Sequence, residues 1–72
     1  MDFKTATDLL GLTALEIAEE FGLSPQTIRQ MRLVPGSTSF RNPPDGWQKA
    51  VIRLAKERRQ KLKGLIDALE KH

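Results

Sequence analysis

Five polar side chains lie close together in one short stretch of the chain, and no acidic residue lies among them. They are Gln26, Thr27, Arg29, Gln30 and Arg32. A glutamine amide can pair with adenine through two hydrogen bonds, an arginine guanidinium can pair with guanine in the same way, and threonine can contact a thymine methyl group. Each good two-bond pair discriminates against the wrong base by roughly 1–3 kcal/mol. This chemistry suits the groove of a nucleic-acid duplex.

A short helix is predicted to carry these side chains. Ser24 is a favourable N-cap, and Pro25 suits the first helical position, where no backbone N–H is needed. The intervening apolar residues Ile28 and Met31 are assigned to the inner face, which leaves the polar residues outside. We expect the helix to run from Pro25 to about Leu33 and to end at the Pro–Gly pair that follows.

Two further helices are predicted before this one, and each is closed by a glycine. The first spans Asp2–Leu10 and ends at Gly11. The second begins at Ala14 and ends at Gly22, because glycine readily adopts the left-handed conformation in which helices commonly stop. The start of the second helix has the spacing of a capping box. The capping pair is Thr13 and Glu16, and the apolar residues at helical spacing are Phe3, Ala6, Leu9, Leu10, Leu15, Ile17, Ala18 and Phe21.

The segment Ala14–Leu33 has a pattern typical of two short helices locked at a steep angle by a tight turn. Its fifth position is small, its ninth is glycine, and its fourth, eighth, tenth, fifteenth and eighteenth positions are apolar. The pattern resembles the helix-turn-helix of DNA-binding regulators over all twenty positions. It looks most like small Cro and phage-repressor proteins, with some likeness to region 4 of sigma factors. The residues at these positions are Ile17, Ala18, Phe21, Gly22, Leu23, Ile28 and Met31.

The resemblance implies that the helix beginning at Pro25 is a recognition helix, whose exposed early residues meet base edges in the major groove. The alternative is a helix pair with a polar outer face that serves only as scaffold. After this pair the chain departs from the repressor pattern, because one loop and one long helix follow instead of several short helices. The residues expected to contact DNA are Ser24, Gln26, Thr27, Arg29, Gln30, Arg32, Arg41 and Asn42.

The loop over residues 34–44 is rich in proline, glycine and serine. Such residues favour turns and disfavour regular helix or strand. Two functions are open for this loop: it carries Arg41 and Asn42 to the flanking DNA backbone, or it covers Trp47.

A long helix is predicted over residues 45–71, with Asp45 and Gln48 at the cap spacing. Apolar residues recur along one side of it, interrupted by a single arginine, and the tryptophan at its start is assigned to the core. This stripe consists of Trp47, Val51, Leu54, Arg58, Leu62, Leu65 and Leu69.

The apolar residues in the second half of the long helix have no obvious partner within so short a chain. We expect them to pair with their copies across a two-fold axis, which would place two recognition helices about 34 Å apart, one turn of duplex DNA. The alternative is that the helix folds back on Phe3 and Leu9. The residues assigned to dimerisation are Leu62, Leu65, Ile66 and Leu69.

Charge is distributed unevenly along the 72 residues, although the net charge is only +3. Residues 1–23 sum to −4, residues 24–63 to +8, and residues 64–72 to −1. A locally dense positive segment is what a polyanion-binding surface requires, whereas a solvated helix face is the plainer interpretation.

The four predicted helices indicate a single all-α domain, in which the resemblance implies a three-helix helix-turn-helix core followed by a long C-terminal helix. The chain has no Cys and one His, and no motif indicates a cofactor, a metal centre or an enzyme. No apolar run approaches the roughly 20 residues of a membrane span. Met1–Leu10 lacks the order of a secretion signal. We therefore expect a cytoplasmic, nucleoid-associated protein.

Two functions follow from the sequence. The first is a sequence-specific regulator of transcription that binds double-stranded DNA, as a dimeric repressor or switch protein. The second is a helical protein-interaction module, similar to an antitoxin or an adaptor of RNA polymerase, that uses the long C-terminal helix to bind its partner.

Overall fold

The computed structural model describes residues 1–71, and this range forms four helices and no strand. The helices are α1 (Phe3–Leu10), α2 (Ala14–Phe21), α3 (Pro25–Met31) and α4 (Trp47–Glu70). The predicted all-α class and the long C-terminal helix are confirmed. Within the described range, no helix has both the length and the apolar character needed to cross a bilayer.

Side-chain caps start each of the three short helices. The side chains of Asp2, Thr13 and Ser24 accept hydrogen bonds from the backbone N–H three residues ahead, at 2.8, 3.2 and 3.2 Å respectively. Helices of seven or eight residues are unstable alone in water, and a good N-cap contributes about 1 kcal/mol. The caps predicted at Thr13 and Ser24 are confirmed.

The turn between α2 and α3 depends on Gly22. Gly22 has φ 67° and ψ 31°, and the backbone N–H groups of Gly22 and Leu23 both donate to the Ala18 carbonyl. This left-handed residue ends α2 and lets α3 begin only three positions later. The stops predicted at Gly22 and at Gly11, which also has φ 67°, are confirmed.

The buried core draws on all four helices. The ring of Phe3 meets Phe21 of α2 and Trp47 of α4 edge to face, with centroid separations of 5.8 and 5.3 Å. Trp47 packs against the core, as predicted, and stays half-buried. The first helical turns of α4 are therefore part of the folded body. The buried apolar residues are Phe3, Ala6, Leu10, Ile17, Ala18, Ile28, Met31 and Leu54.

Two of the apolar residues at helical spacing lie on the surface. Leu9 is 73% exposed and Leu15 is 57% exposed. The inner face of α1 instead includes Thr7, which lies four residues after Phe3 and three before Leu10. Burial of the Thr7 hydroxyl is compensated because it donates to the Phe3 carbonyl at 2.8 Å. Leu9 lies outside this stripe, and so does Leu15 in α2.

The start of α4 differs from the prediction. Gly46, with φ 78°, is the N-cap and makes no side-chain capping bond, so the cap assigned to Asp45 is wrong. The Trp47 N–H donates to the Pro44 carbonyl at 3.2 Å, which closes a tight turn over the intervening residues. Asp45 lies inside this turn, and α4 begins two residues later than predicted. α3 is also shorter than predicted, since it ends at Met31.

The second half of α4 projects from the folded body. Every described residue from Ala55 onward is exposed, and the molecule measures 52 Å along its longest axis against 22 and 18 Å across. Arg58, which interrupts the apolar stripe, reaches back to the end of α1. Its Nη2 atom lies 3.5 Å from the position that a Cβ on Gly11 would occupy. A cation at the carboxyl end of a helix complements the helix dipole.

The Asp8 carboxylate connects α1 to the end of α3. It accepts hydrogen bonds from Lys4 Nζ, at 2.8 Å, and from the Arg32 guanidinium. Both hydrogen bonds lower the pKa of Asp8 below its ordinary value, and the bond from Lys4 has the larger effect. The pair fixes the C-terminal end of α3 relative to α1.

Replacement of Gly22 by alanine is expected to destabilise the fold by about 1–2 kcal/mol, because an L side chain is strained in the left-handed conformation. No atom lies within 4 Å of a Cβ at this position, so the loss is conformational and involves no clash. Urea unfolding followed by circular dichroism measures it. Gly22→Asn is the matched control, with a smaller expected loss, because asparagine tolerates this conformation. Equal stability of wild type and Gly22→Ala would contradict the prediction.

Asp8→Asn is expected to lower stability at neutral pH and to have less effect in acid. The pKa of Asp8 is lower in the folded chain than its unfolded value of about 3.9, so its stabilisation is complete above that value and disappears as pH falls through the folded pKa. Urea unfolding at pH 7 and at steps below pH 5 tests this. Asp67→Asn is the control, because Asp67 pairs only with Lys63 on the projecting half of α4. If Asp8→Asn and wild type differed in free energy of unfolding by the same amount at every pH, the stabilisation would not come from the ionised Asp8 carboxylate.

Candidate nucleic-acid interface

The inner face of α3 is anchored in the core. Ile28 is fully buried and Met31 is nearly so, in the same cluster as Ile17 and Ala18 of α2. Because successive residues of a helix are about 100° apart, burial of these two positions fixes which side chains face solvent. The turn at Gly22 and the contact between Arg32 and Asp8 hold the two ends of α3. The outer face of α3 therefore has a defined direction.

The outer face of α3 is formed by three of the predicted residues. Gln26 and Arg29 are exposed, and Gln30 is half-buried. Their spacing of three and four residues places them side by side on one surface of the helix. No acidic residue occurs between Phe21 and Pro44. This surface therefore presents two amides and one guanidinium without a competing carboxylate on the same segment.

Ser24 and Thr27 lie at the start of α3, and both take part in its capping. The Thr27 N–H donates to Ser24 Oγ at 3.2 Å, and the two hydroxyl oxygens are 2.9 Å apart. Ser24 is exposed and Thr27 is half-buried. These side chains hold the first turn of α3 in place while remaining at its surface.

Arg32 is directed toward α1 and lies apart from the outer face. Its side chain is largely covered and pairs with Asp8, and its Nε is buried with no hydrogen-bond partner in residues 1–71. This ion pair is not predictable from the sequence, because its members are 24 positions apart and no local pattern connects them. Arg32 thus positions α3 within the fold.

The loop docks on the end of α3. The Arg41 N–H donates to the Gln30 carbonyl at 3.3 Å, which brings this part of the loop beside the outer face. Phe40 and Pro43 border a small cleft of about 100 Å³ together with Phe3 and Met31 of the core region. Arg41 and Asn42 themselves are exposed. The fold therefore brings Arg41 together with Gln30, although 10 residues separate them in the chain.

Acidic residues of α2 are partly balanced by α4. Glu20 Oε2 lies 3.4 Å from Arg53 Nη1, and the Glu20 side chain is largely covered. Glu16 accepts a hydrogen bond from the Thr13 hydroxyl at 3.3 Å. Across residues 1–71, no three side chains of the types that ligate metals come together as a candidate ion site.

A scan against protein-family models returns no matching family, and searches of the curated proteins and of the solved structures return no significantly similar protein. What the outer face of α3 binds is therefore inferred from the residues of this chain.

Proposed function

We propose that this protein is a sequence-specific regulator of transcription that binds double-stranded DNA. The observation that carries the proposal is the outer face of α3, where Gln26, Arg29 and Gln30 lie together on a helix whose inner face is buried. A helix of this width fits the major groove, and amide and guanidinium groups match the edges of adenine and guanine there. The α2–α3 pair then acts as a helix-turn-helix, with α3 as the recognition helix.

The residues around α3 take different roles in this proposal. Gln26, Arg29 and Gln30 read bases, because they occupy the outer face. Arg41 and Asn42 contact the DNA backbone beside α3, since the loop docks on Gln30 and leaves both side chains exposed. Ser24 and Thr27 contribute short contacts at the start of the helix. Arg32 orients α3 through its ion pair with Asp8.

Two copies acting together explain the exposed residues of α4. A two-fold dimer would bind a palindromic operator and act as a repressor or switch that blocks or recruits polymerase. The Leu62, Leu65, Ile66 and Leu69 side chains, which are 46–65% exposed, supply the surface for pairing. A cytoplasmic, nucleoid-associated location follows from this function.

The same exposed side chains favour a second candidate function. In that case α4 binds a different protein, as in an antitoxin-like module or an adaptor of RNA polymerase, and the outer face of α3 is only a solvated surface. In the first function, binding of duplex DNA depends on Arg29. In the second, binding of a protein to α4 does not depend on Arg29. The two functions also differ in the response of binding to salt.

Arg29→Ala is expected to relax base preference at one position of each half-site, by roughly 1–3 kcal/mol, or about 5–150-fold. Selection from a random duplex library identifies the preferred site, and titration of single-base variants measures the preference. Arg41→Ala is the control, because loss of a phosphate contact weakens binding to all sequences alike. A wild-type protein that binds a random duplex as well as the selected site would end the proposal of sequence-specific regulation.

Affinity for the selected duplex is expected to fall steeply with salt. The logarithm of the binding constant should decrease linearly with the logarithm of the salt concentration, with a slope of about 0.9 for each neutralised phosphate. Arg41→Ala should reduce that slope by about one for each protomer. Fluorescence anisotropy between 50 and 200 mM salt measures both slopes. A slope near zero would favour the protein-interaction module instead.

A further inference from the structure

One apolar surface of the molecule is left uncovered on the projecting half of α4. We define the α4 apolar face by four side chains that are 46, 54, 53 and 65% exposed in chain order. An open groove of about 550 Å³ continues this face toward the end of α1, where Leu9 and Leu10 form its other wall. The exposed Leu9 is therefore part of the same apolar surface. The α4 apolar face consists of Leu62, Leu65, Ile66 and Leu69.

Charges beside the α4 apolar face are arranged in a fixed order. At about 100° per residue, Arg59, Lys63 and Glu70 lie along one side of the face, and Lys61 lies along the opposite side. The first side therefore changes from basic to acidic toward the C-terminal end, whereas the opposite side carries Lys61 followed by the uncharged Ala68. Arg58 lies within the stripe itself and is directed toward Gly11 at the end of α1. Within residues 1–71, neither Arg59 nor Glu70 has an ion-pair partner, while Lys63 pairs with Asp67 at 3.1 Å.

We propose that the α4 apolar face binds a second copy of this chain with the two α4 helices antiparallel. In an antiparallel pair, each side of the face meets the same side of the other helix in reverse order. Arg59 then lies opposite the partner's Glu70, and the contact occurs twice by symmetry. In a parallel pair, Arg59 and Lys63 would instead lie opposite the partner's Lys61, which places cations against cations. Flanking charges of this kind determine the orientation of paired helices.

The same register fills the groove beside α1. When Arg59 is level with the partner's Glu70, the partner's Leu69 is level with residue 60, in the middle of the groove formed by Leu9, Ala55 and Leu62. The last helical turn of each copy thus covers apolar surface on the folded body of the other. A second copy therefore buries the apolar surface and pairs the charges beside it.

The antiparallel register also sets the separation of the two folded bodies. Leu54 is the last buried residue of α4, and the two copies of Leu54 would lie 21 residues apart along the paired helices, or roughly 32 Å at 1.5 Å per residue. This is close to the 34 Å turn of duplex DNA, so the two folded bodies would be spaced by about the distance between the half-sites of one operator. This last step rests on the proposed function, whereas the pairing itself requires no DNA.

Exchange of the charges at positions 59 and 70 tests the orientation in the full chain without DNA. Sedimentation equilibrium should detect a wild-type dimer, and Arg59→Glu and Glu70→Arg should each weaken it by about tenfold, because two attractive pairs become repulsive. The double variant should recover wild-type affinity to within a few-fold. Lys71→Glu is the control of equal charge change, because Lys71 lies on the side of the helix opposite the face, and it should have a smaller effect. A stronger dimer for Arg59→Glu would indicate parallel pairing and overturn the proposal.

Disulfide cross-linking gives a second and independent measurement, since the chain contains no cysteine. Leu65 lies within about one residue of the proposed two-fold axis, so Leu65→Cys should link to its own copy, for which Cα atoms must approach to about 4.4–6.8 Å. Leu69→Cys is the control, because its two copies would lie roughly 13 Å apart along the helices. Efficient cross-linking at both positions would contradict the antiparallel register.

A chain that remains monomeric up to about 100 µM would overturn the pairing and leave the α4 apolar face to a different protein. The two proposals remain separable. Monomeric protein that still selects a half-site would preserve DNA binding and remove the dimer. A dimer that shows no preference among duplex sequences would support the pairing and remove sequence-specific DNA binding.

Discussion

The burial of Ile17 against the α3 helix, and of Ile28 against α2, is the constraint on which the rest of the structure depends. Both side chains are completely inaccessible to solvent. Each contributes about 1.5–3 kcal/mol on burial, which is a large share of the stability of so small a body. Helices as short as α2 and α3 do not persist alone in water, so they exist because their inner faces are packed. The direction of the outer face of α3 is a consequence of that packing.

The boundaries that the sequence predicts correctly are those with a local physical cause. Thr13 and Ser24 cap helices because a side-chain oxygen three residues back satisfies a free N–H group. Gly11 and Gly22 end helices because glycine, which has no Cβ, adopts the left-handed conformation without strain. Each of these signals is complete within a few residues. No information from the rest of the chain is needed to interpret them.

The errors arise where a local pattern has two solutions. Leu9 and Leu10 are adjacent, so only one of them can share a face with Phe3, and the selection of Leu10 depends on where the other helices lie. Asp45 has the spacing of a cap, but the glycine after it adopts the left-handed conformation and is the N-cap, so the helix starts at Trp47. Local composition permits both outcomes in each case. Packing and backbone conformation decide between them.

The sequence predicts the outer face of α3 better than the contacts that hold this helix in place. The periodicity of Ile28 and Met31 was sufficient to identify Gln26 and Arg29 as exposed, because a helix with a buried side has a determined opposite side. The ion pair of Arg32 with Asp8, and the bond from the Arg41 backbone to Gln30, join segments that are distant in the chain. In the proposed function, a single small DNA-binding module buries only about 600–1,000 Å² on DNA. Linking two such surfaces raises affinity through effective concentration without new contacts at either one. In the proposed dimer, the exposed length of α4 beyond Leu54 provides that link.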